Sequence, residues 1–261
     1  MSLNATIPKE IAQHCEVVAE SYRVSPRIHP ADHIFWWLYN DPARTDKVGV
    51  AREYLEGGAH TAKALSDLLT TFRPIDAPFT LLDFAAGYGR VTRHFRNELP
   101  SARVVACDIH PEAVRFIREL GFPAAQSASV PEQLQIAQQF DVVYALSFFT
   151  HMPLATWGRW LGVLSRSLTS TGLLIFTTHG IPAMQRMGVT ALNEDGFYFI
   201  PFSEQKDLST DEYGATATSF NFVSKHLRTS GLDLRYFRES GMGYQDLYVA
   251  TPARPTGELH R

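Results

Sequence analysis

Two short stretches hold residues whose types and spacing could do chemistry. In Leu81-Leu82-Asp83-Phe84-Ala85-Ala86-Gly87-Tyr88-Gly89-Arg90 an apolar run ends at a carboxylate and passes into a Gly-x-Gly turn. Glycines in such a turn let backbone approach a bound group that any Cβ would obstruct. Nineteen residues past Gly89, the stretch Val104-Val105-Ala106-Cys107-Asp108-Ile109 is a second apolar run ending in an acid. An acid at the end of the second strand of an open α/β sheet can accept hydrogen bonds from both hydroxyls of a ribose. Asp108 is therefore the expected ribose ligand, with Ile109 against the face of the base. Two plainer readings stand beside these: the glycines only tighten a strand-to-helix turn, or Asp108 caps the next helix, although Pro111 at the first helical position would make His110 the cap.

The same residues bear on which nucleoside is held. A dinucleotide site uses Gly-x-Gly-x-x-Gly or Ala, because a third small residue lets helix and strand pack closely while the pyrophosphate sits on the helix amino end. Here the third position is Thr92, and Asp83 lies where it would repel phosphate. Both departures favour a nucleoside without phosphates that carries an amino acid part, a description S-adenosylmethionine meets. They count against an NAD-dependent oxidoreductase on a related fold. A module that binds the nucleoside without turnover is a further alternative.

Asp83-x-x-x-Gly87-x-Gly89-Arg90 resembles the first motif of the class I S-adenosylmethionine-dependent methyltransferases, and Asp108 resembles the acid that follows it. The segment 141–152 is similar to the family's fourth-strand region and 172–178 to its fifth strand, so the resemblance spans roughly Phe79 to Thr251 in element order. It implies a single doubly wound, mostly parallel seven-stranded α/β sheet with an antiparallel C-terminal hairpin. It also implies that S-adenosylmethionine is held by Asp83, Ala85, Gly87, Gly89, Arg90, Asp108, Ile109 and Ser147, and leaves as product S-adenosylhomocysteine. Two positions depart from the pattern. Ala86 stands where many members have Cys, and Gln126-Ser127-Ala128-Ser129 lacks the acid that often receives the adenine amino group, which leaves Ser127 and Ala128 as the adenine contacts.

Methyl transfer is an in-line displacement at a sulfonium methyl with a neutral leaving group, so positioning can supply much of the catalysis and a base is needed only where the acceptor must lose a proton. His179 and His151 are the candidate bases, at the carboxyl ends of the fifth and fourth strands where ligands bind in such sheets. His151, just before Met152-Pro153, could instead fix the start of a helix. Tyr213-Gly214 and Gln245-Asp246 are polar groups that could line an acceptor pocket, or serve as a turn and a strand-end cap. The clusters Phe35-Trp36-Trp37 and Phe197-Tyr198-Phe199 read more readily as core or interface. The expected acceptor is a small molecule, most simply a hydroxyl, and no metal is called for.

The elements that must position these groups follow from periodicity. Apolar residues from Val48 to Phe72 recur at three- and four-residue steps, one stripe of a long helix interrupted by Gly57 and Gly58. Each glycine costs about 1 kcal/mol relative to Ala, so either the helix packs tightly there or Tyr54 and the glycines cover the methionine end of the cofactor. Beyond Pro78, strands are expected at 80–84, 103–107, 123–126, 141–146 and 173–178. Helices are expected from Val91 to Leu99 and along Trp157, Leu161, Leu164 and Leu168, the latter ended by Gly172. Residues 180–218 break the alternation as an irregular substrate-side insert. A helix at 219–230 and strands at 232–238 and 245–251 follow, the last two antiparallel because their link is too short for a crossover. The expected organisation is a helical extension over 1–78, the domain over 79–254 and a tail over 255–261.

Composition narrows the setting. With 24 Lys and Arg against 27 Asp and Glu and no run of like charge, no nucleic acid or anionic membrane partner is expected. Cys15 and Cys107 lack partners at metal-ligand spacing. No apolar run approaches the ~18 residues of a membrane span, and Met1 to Lys9 lacks the pattern of a secretory signal. A cytoplasmic protein is the expectation.

Overall fold

Two helix starts in the first part of the chain are set by aspartates. The computed structural model describes residues 6–203, 205 and 207–254, so the expected tail over 255–261 lies outside the described residues. Contacts divide the chain into two units, Met1–Ser127 and Ala128–Arg261. The first opens with α1 (Lys9–Tyr22), α2 (His33–Asn40) and α3 (Lys47–Leu69). The Asp32 carboxylate accepts the Phe35 N–H and Asp46 accepts that of Gly49, each satisfying a donor that a helix start leaves without an intrahelical partner. The buried stripe of α3, including Val50, Tyr54 and Leu55, packs with Ile11, Cys15 and Val18 of α1 and Phe35 of α2. This core is built from α1, α2 and α3.

Three parallel strands complete this unit: β1 (Phe79–Phe84), β2 (Ala102–Asp108) and β3 (Ala124–Gln126), in the order β3-β2-β1. Phe84 pairs with Cys107, so Asp108 extends one residue past the end of the β1–β2 ladder. The segment after β1 is not one continuous helix. A 3₁₀ turn at Thr92–His94 leads into the short α4 (Phe95–Glu98), and α5 (Pro111–Glu119) follows β2 with Pro in its first turn.

The second unit carries β4 (Phe140–Ala145), α6 (Leu154–Arg166), β5 (Leu168–Thr178), α7 (Ile181–Arg186), β6 (Phe197–Ile200), β7 (Ala215–Thr218), α8 (Phe220–Thr229), β8 (Leu232–Met242) and β9 (Gln245–Pro252). β4 and β5 are parallel, and β9 runs antiparallel to both β5 and β8. The chain thus has the expected seven-stranded, mostly parallel sheet with an antiparallel C-terminal hairpin. Two local expectations are corrected. Gly172 does not end α6, which stops at Arg166; it lies inside β5, where a Cβ would sit 2.8 Å from the Phe140 carbonyl oxygen beside a register shift. The 180–218 segment is not irregular throughout, since α7 is followed by a two-stranded antiparallel sheet pairing Phe197 with Thr218 and Ile200 with Ala215. Strands of four residues are too short to show a period. Among the described residues, no helix is long and apolar enough to cross a membrane.

The adjacent Gly57 and Gly58 of α3 differ in what they face. A Cβ at Gly58 would collide with the carbonyl group of Arg90, whereas one at Gly57 would meet only the Arg90 Nη1 at 3.0 Å, the movable end of a long side chain. The helix therefore packs directly on the backbone just after Gly89. Gly58→Ala is expected to destabilise by about 1–3 kcal/mol despite its better helix propensity, because backbone cannot yield as a side chain can. Gly57→Ala should be neutral or stabilising by up to about 1 kcal/mol. Urea unfolding of the two variants checks the contrast, and equal effects would overturn this account of the packing.

Candidate active site

In the first unit the turn after β1 is built on left-handed backbone: Ala85 has φ 59°, Gly87 φ 57° and Gly89 φ 72°. Such angles cost a non-glycine residue of order 1–3 kcal/mol, so Ala85 is held there by its surroundings. The neighbouring Ala86 N–H donates to the Cys107 carbonyl at 3.0 Å. A Cβ at Gly87 would meet nothing within 4 Å, so its side of the turn is open; one at Gly89 would press on Leu120 at 3.2 Å. The two glycines have different reasons.

Asp108, 5% exposed, accepts the Gly87 N–H on Oδ2 at 2.7 Å, while Oδ1 accepts the His110 N–H at 3.0 Å and faces the His110 Nδ1 at 2.8 Å. It therefore braces both the turn and the start of α5. His110 takes the N-cap position of α5 without a side-chain cap bond. Asp83 lies beneath the turn and accepts the Thr92 hydroxyl at 2.6 Å. Burial, opposed by that hydrogen bond and aided by the Asp108 charge, pushes Asp83 up to about 7. Thr92 at the third position of the motif is thus the partner of the buried acid. Ser127 donates its N–H to the Asp108 carbonyl at 2.8 Å, and Ile109 is half-buried. Burial and the adjacent Asp108 push the Cys107 thiol up to about 12.

The second unit carries the remaining candidates. Ser147 also has left-handed backbone, φ 57°, and is fixed by its N–H to Thr177 Oγ1 at 2.8 Å and by a Gln245 Nε2 donor at 2.9 Å. Thr177 Oγ1 in turn donates to Gln245 Oε1 at 2.6 Å, closing a triangle. His151 places Nδ1 2.7 Å from the Gly214 carbonyl and stacks on Tyr213 at 4.3 Å and 11°. It therefore fastens the strand leading into β7; the N-cap of α6 is Pro153. His179, 8% exposed, has Nδ1 3.1 Å from the Thr216 carbonyl and stacks on Tyr244 at 5.7 Å. A carbonyl can only accept, so in both rings Nδ1 carries the hydrogen when neutral. Burial, then the charge of His151, holds His179 down at about 4. It is an uncharged imidazole at neutral pH.

The structure gathers Asp83, Ala85, Gly87, Gly89, Arg90, Asp108, Ile109 and Ser127 around one turn, sets Ser147 beside Thr177 and Gln245, and holds His151 and His179 against the Gly214–Thr216 segment. Ala128 is half-buried at the start of the second unit. Asp246 is buried against Gly180, with Oδ1 accepting the Ser240 N–H at 3.0 Å, and burial raises it above the usual carboxylate range. Of the two aromatic clusters, Phe35 and Phe197 are core, while Trp37 is 55% exposed. Sequence reading missed Thr177, whose role depends on antiparallel pairing of β5 with β9. It also missed Arg93, a buried cation on the 3₁₀ turn. A second Arg three residues after the motif was the only signal for the latter.

Residues 82–174 match a family model described as a methyltransferase domain. No curated protein matches the chain in sequence. Among solved structures, DesVI from Streptomyces venezuelae is similar with a TM-score of 0.58 at 15% identity, over 87% of this chain and 99% of that one. The S-adenosylmethionine-bound amino pentose methyltransferase CalS10 from Micromonospora echinaspora gives 0.55 at 16%, over 75% and 92%. The magnesium protoporphyrin IX methyltransferase from Synechocystis PCC 6803, with S-adenosylhomocysteine bound, gives 0.58 at 13%, over 91% and 100%. At such identities the structural likeness carries the fold. The matched family model runs from within β1 to within β5, so this segment is similar to a methyltransferase domain and the chain shares the fold of these methyltransferases.

Proposed function

We propose that the chain binds S-adenosylmethionine at the turn after β1 and transfers its methyl group to a hydroxyl of a small-molecule acceptor. One observation carries the reading: Gly87 has open space where a Cβ would stand, while its N–H is tied to the buried Asp108 carboxylate. That is a cradle a side chain would fill, next to an acid suited to a ribose edge. When bound, the cofactor supplies an electrophilic methyl on a sulfonium. Asp108 takes the ribose hydroxyls, and Ile109, Ser127 and Ala128 face the base. Ala85, Gly87, Gly89 and Arg90 shape the turn that cradles the cofactor, with Asp83 acting through the bond it makes with Thr92. The buried, free Cys15 and Cys107 support a reducing compartment, the cytoplasm.

On the acceptor side, the neutral His179 offers the Nε2 lone pair to a hydroxyl hydrogen. A base held at about 4 drives proton transfer weakly, so the rate rests mainly on orientation, which can supply ~7–11 kcal/mol. His151 is the alternative base. CalS10 is an amino pentose methyltransferase, which supports an amine as the second acceptor class for this chain.

Asp108→Ala is expected to weaken S-adenosylmethionine binding by about 1–3 kcal/mol, since ionised partners of buried hydrogen bonds contribute on that scale. Gly87→Val should abolish binding while leaving the circular dichroism spectrum near wild type. Calorimetry decides both, and wild-type affinity in either folded variant would sink the cofactor assignment.

Replacing His179 tests the acceptor half. His179→Gln should lower turnover by ~10²-fold, the low end for a general base, with cofactor affinity unchanged. Stability supplies an independent readout. The unfolded chain protonates His179 near 6.5 and the folded chain near 4, so between those values the unfolded state holds more protons and stability falls on acidification. The drop in melting temperature from pH 7 to pH 5 should be smaller for His179→Gln than for wild type. Identical drops would contradict the buried, neutral imidazole.

A further inference from the structure

We infer that Arg93 is a positioning residue for the cofactor turn, clasping the N-terminal segment at Ser25–Arg27 onto it; this rests on the cofactor reading above. Arg93 is 3% exposed, and its hydrogen bonds all go to backbone carbonyls from two parts of the chain. Nε donates to Gly89 at 3.0 Å and Nη2 to Tyr88 at 3.4 Å; Nη1 donates to Ser25 at 2.9 Å and Arg27 at 2.8 Å. The guanidinium also lies 5.7 Å from the centre of the Tyr54 ring. Tyr54 donates its hydroxyl to the buried Asp32 carboxylate, whose other oxygen accepts the Phe35 N–H. Arg93 thus feels the Asp32 charge without an ion-pair contact.

A buried cation is costly, and an aliphatic side chain could fill the same volume without that cost. What the guanidinium adds is direction. A trans peptide is planar, so holding the carbonyls of Tyr88 and Gly89 fixes the N–H groups of Gly89 and Arg90 in the same planes. Those are the peptides that a left-handed glycine would otherwise leave soft. The segment is fastened at a second point as well: His29 stacks on Tyr88, the residue between the two glycines, at 4.6 Å and 14°. Two attachments, one through carbonyls and one through rings, hold the turn in a single shape before any ligand arrives. Preorganisation of this kind acts on affinity by sparing the ligand the cost of ordering the loop.

The test uses the full chain and S-adenosylhomocysteine as probe, by calorimetry well below the melting temperature, with Arg93→Met and Arg93→Lys. Arg93→Met is expected to weaken binding at least tenfold in folded protein, and Arg93→Lys to recover part of the loss, because an ammonium can reach some of these carbonyls but lacks the planar fork. Amide hydrogen exchange should quicken at residues 87–90 in both. A purely structural role would lower the melting temperature and leave the affinity of the folded fraction and the exchange of the turn unmoved; that result overturns the proposal. Should Arg93→Met fail to fold, Arg93→Lys with unchanged affinity and unchanged exchange overturns it equally. Loss of binding in wild type instead would defeat the cofactor reading itself, a distinct outcome.

Discussion

The hydrogen bond from the Gly87 N–H to Asp108 is the contact on which the first unit's chemistry turns. It joins the end of one strand's turn to the end of its neighbour and thereby fixes where an open patch of backbone lies beside a buried negative charge. Everything around it serves to hold that bond. The parallel register of β1 and β2 places Asp108 one residue past the ladder, Thr92 engages Asp83 below, and α3 lays a glycine against the Arg90 carbonyl from outside. A carboxylate that accepts the Gly87 and His110 N–H groups and faces the His110 ring is already solvated by protein.

The second unit follows a different logic. His151 and His179 are each pinned through Nδ1 to a carbonyl of the segment at Gly214–Thr216, so the rings inherit the geometry of the β6–β7 sheet. Ser147 is held in an uncommon backbone state by Thr177 and Gln245, which come from two antiparallel strands. Orientation here depends on pairs of elements far apart in sequence.

That difference explains what could be read in advance. The turn motif, the succession of strands and helices, the antiparallel hairpin and the placing of Asp108 were legible because they depend on residues close in sequence and on period. The glycine pair in α3 announced tight packing through its cost in helix propensity, although not what lay opposite. The β6–β7 hairpin was hidden because four-residue strands carry no readable alternation, and Gly172 was misplaced because a glycine inside a bulged strand and one beyond a helix look alike. Thr177 and Gln245 were beyond reach as partners, since only the register of β5 with β9 brings them together. The helical extension gave up its stripe but not its dependence on Arg93, whose four acceptors are backbone atoms and leave no trace in residue types.

The two cysteines have a practical consequence. Cys15 and Cys107 are both buried, and burial raises them to about 11 and about 12. Thiolate is the reactive form, so near neutrality neither presents an appreciable nucleophile to an alkylating reagent. The native chain is in effect silent toward thiol labels. A variant such as Tyr244→Cys, at a 43% exposed position beside His179, would carry the one responsive sulfur among the described residues. A fluorophore attached there would report on the surroundings of His179 without any background from the core.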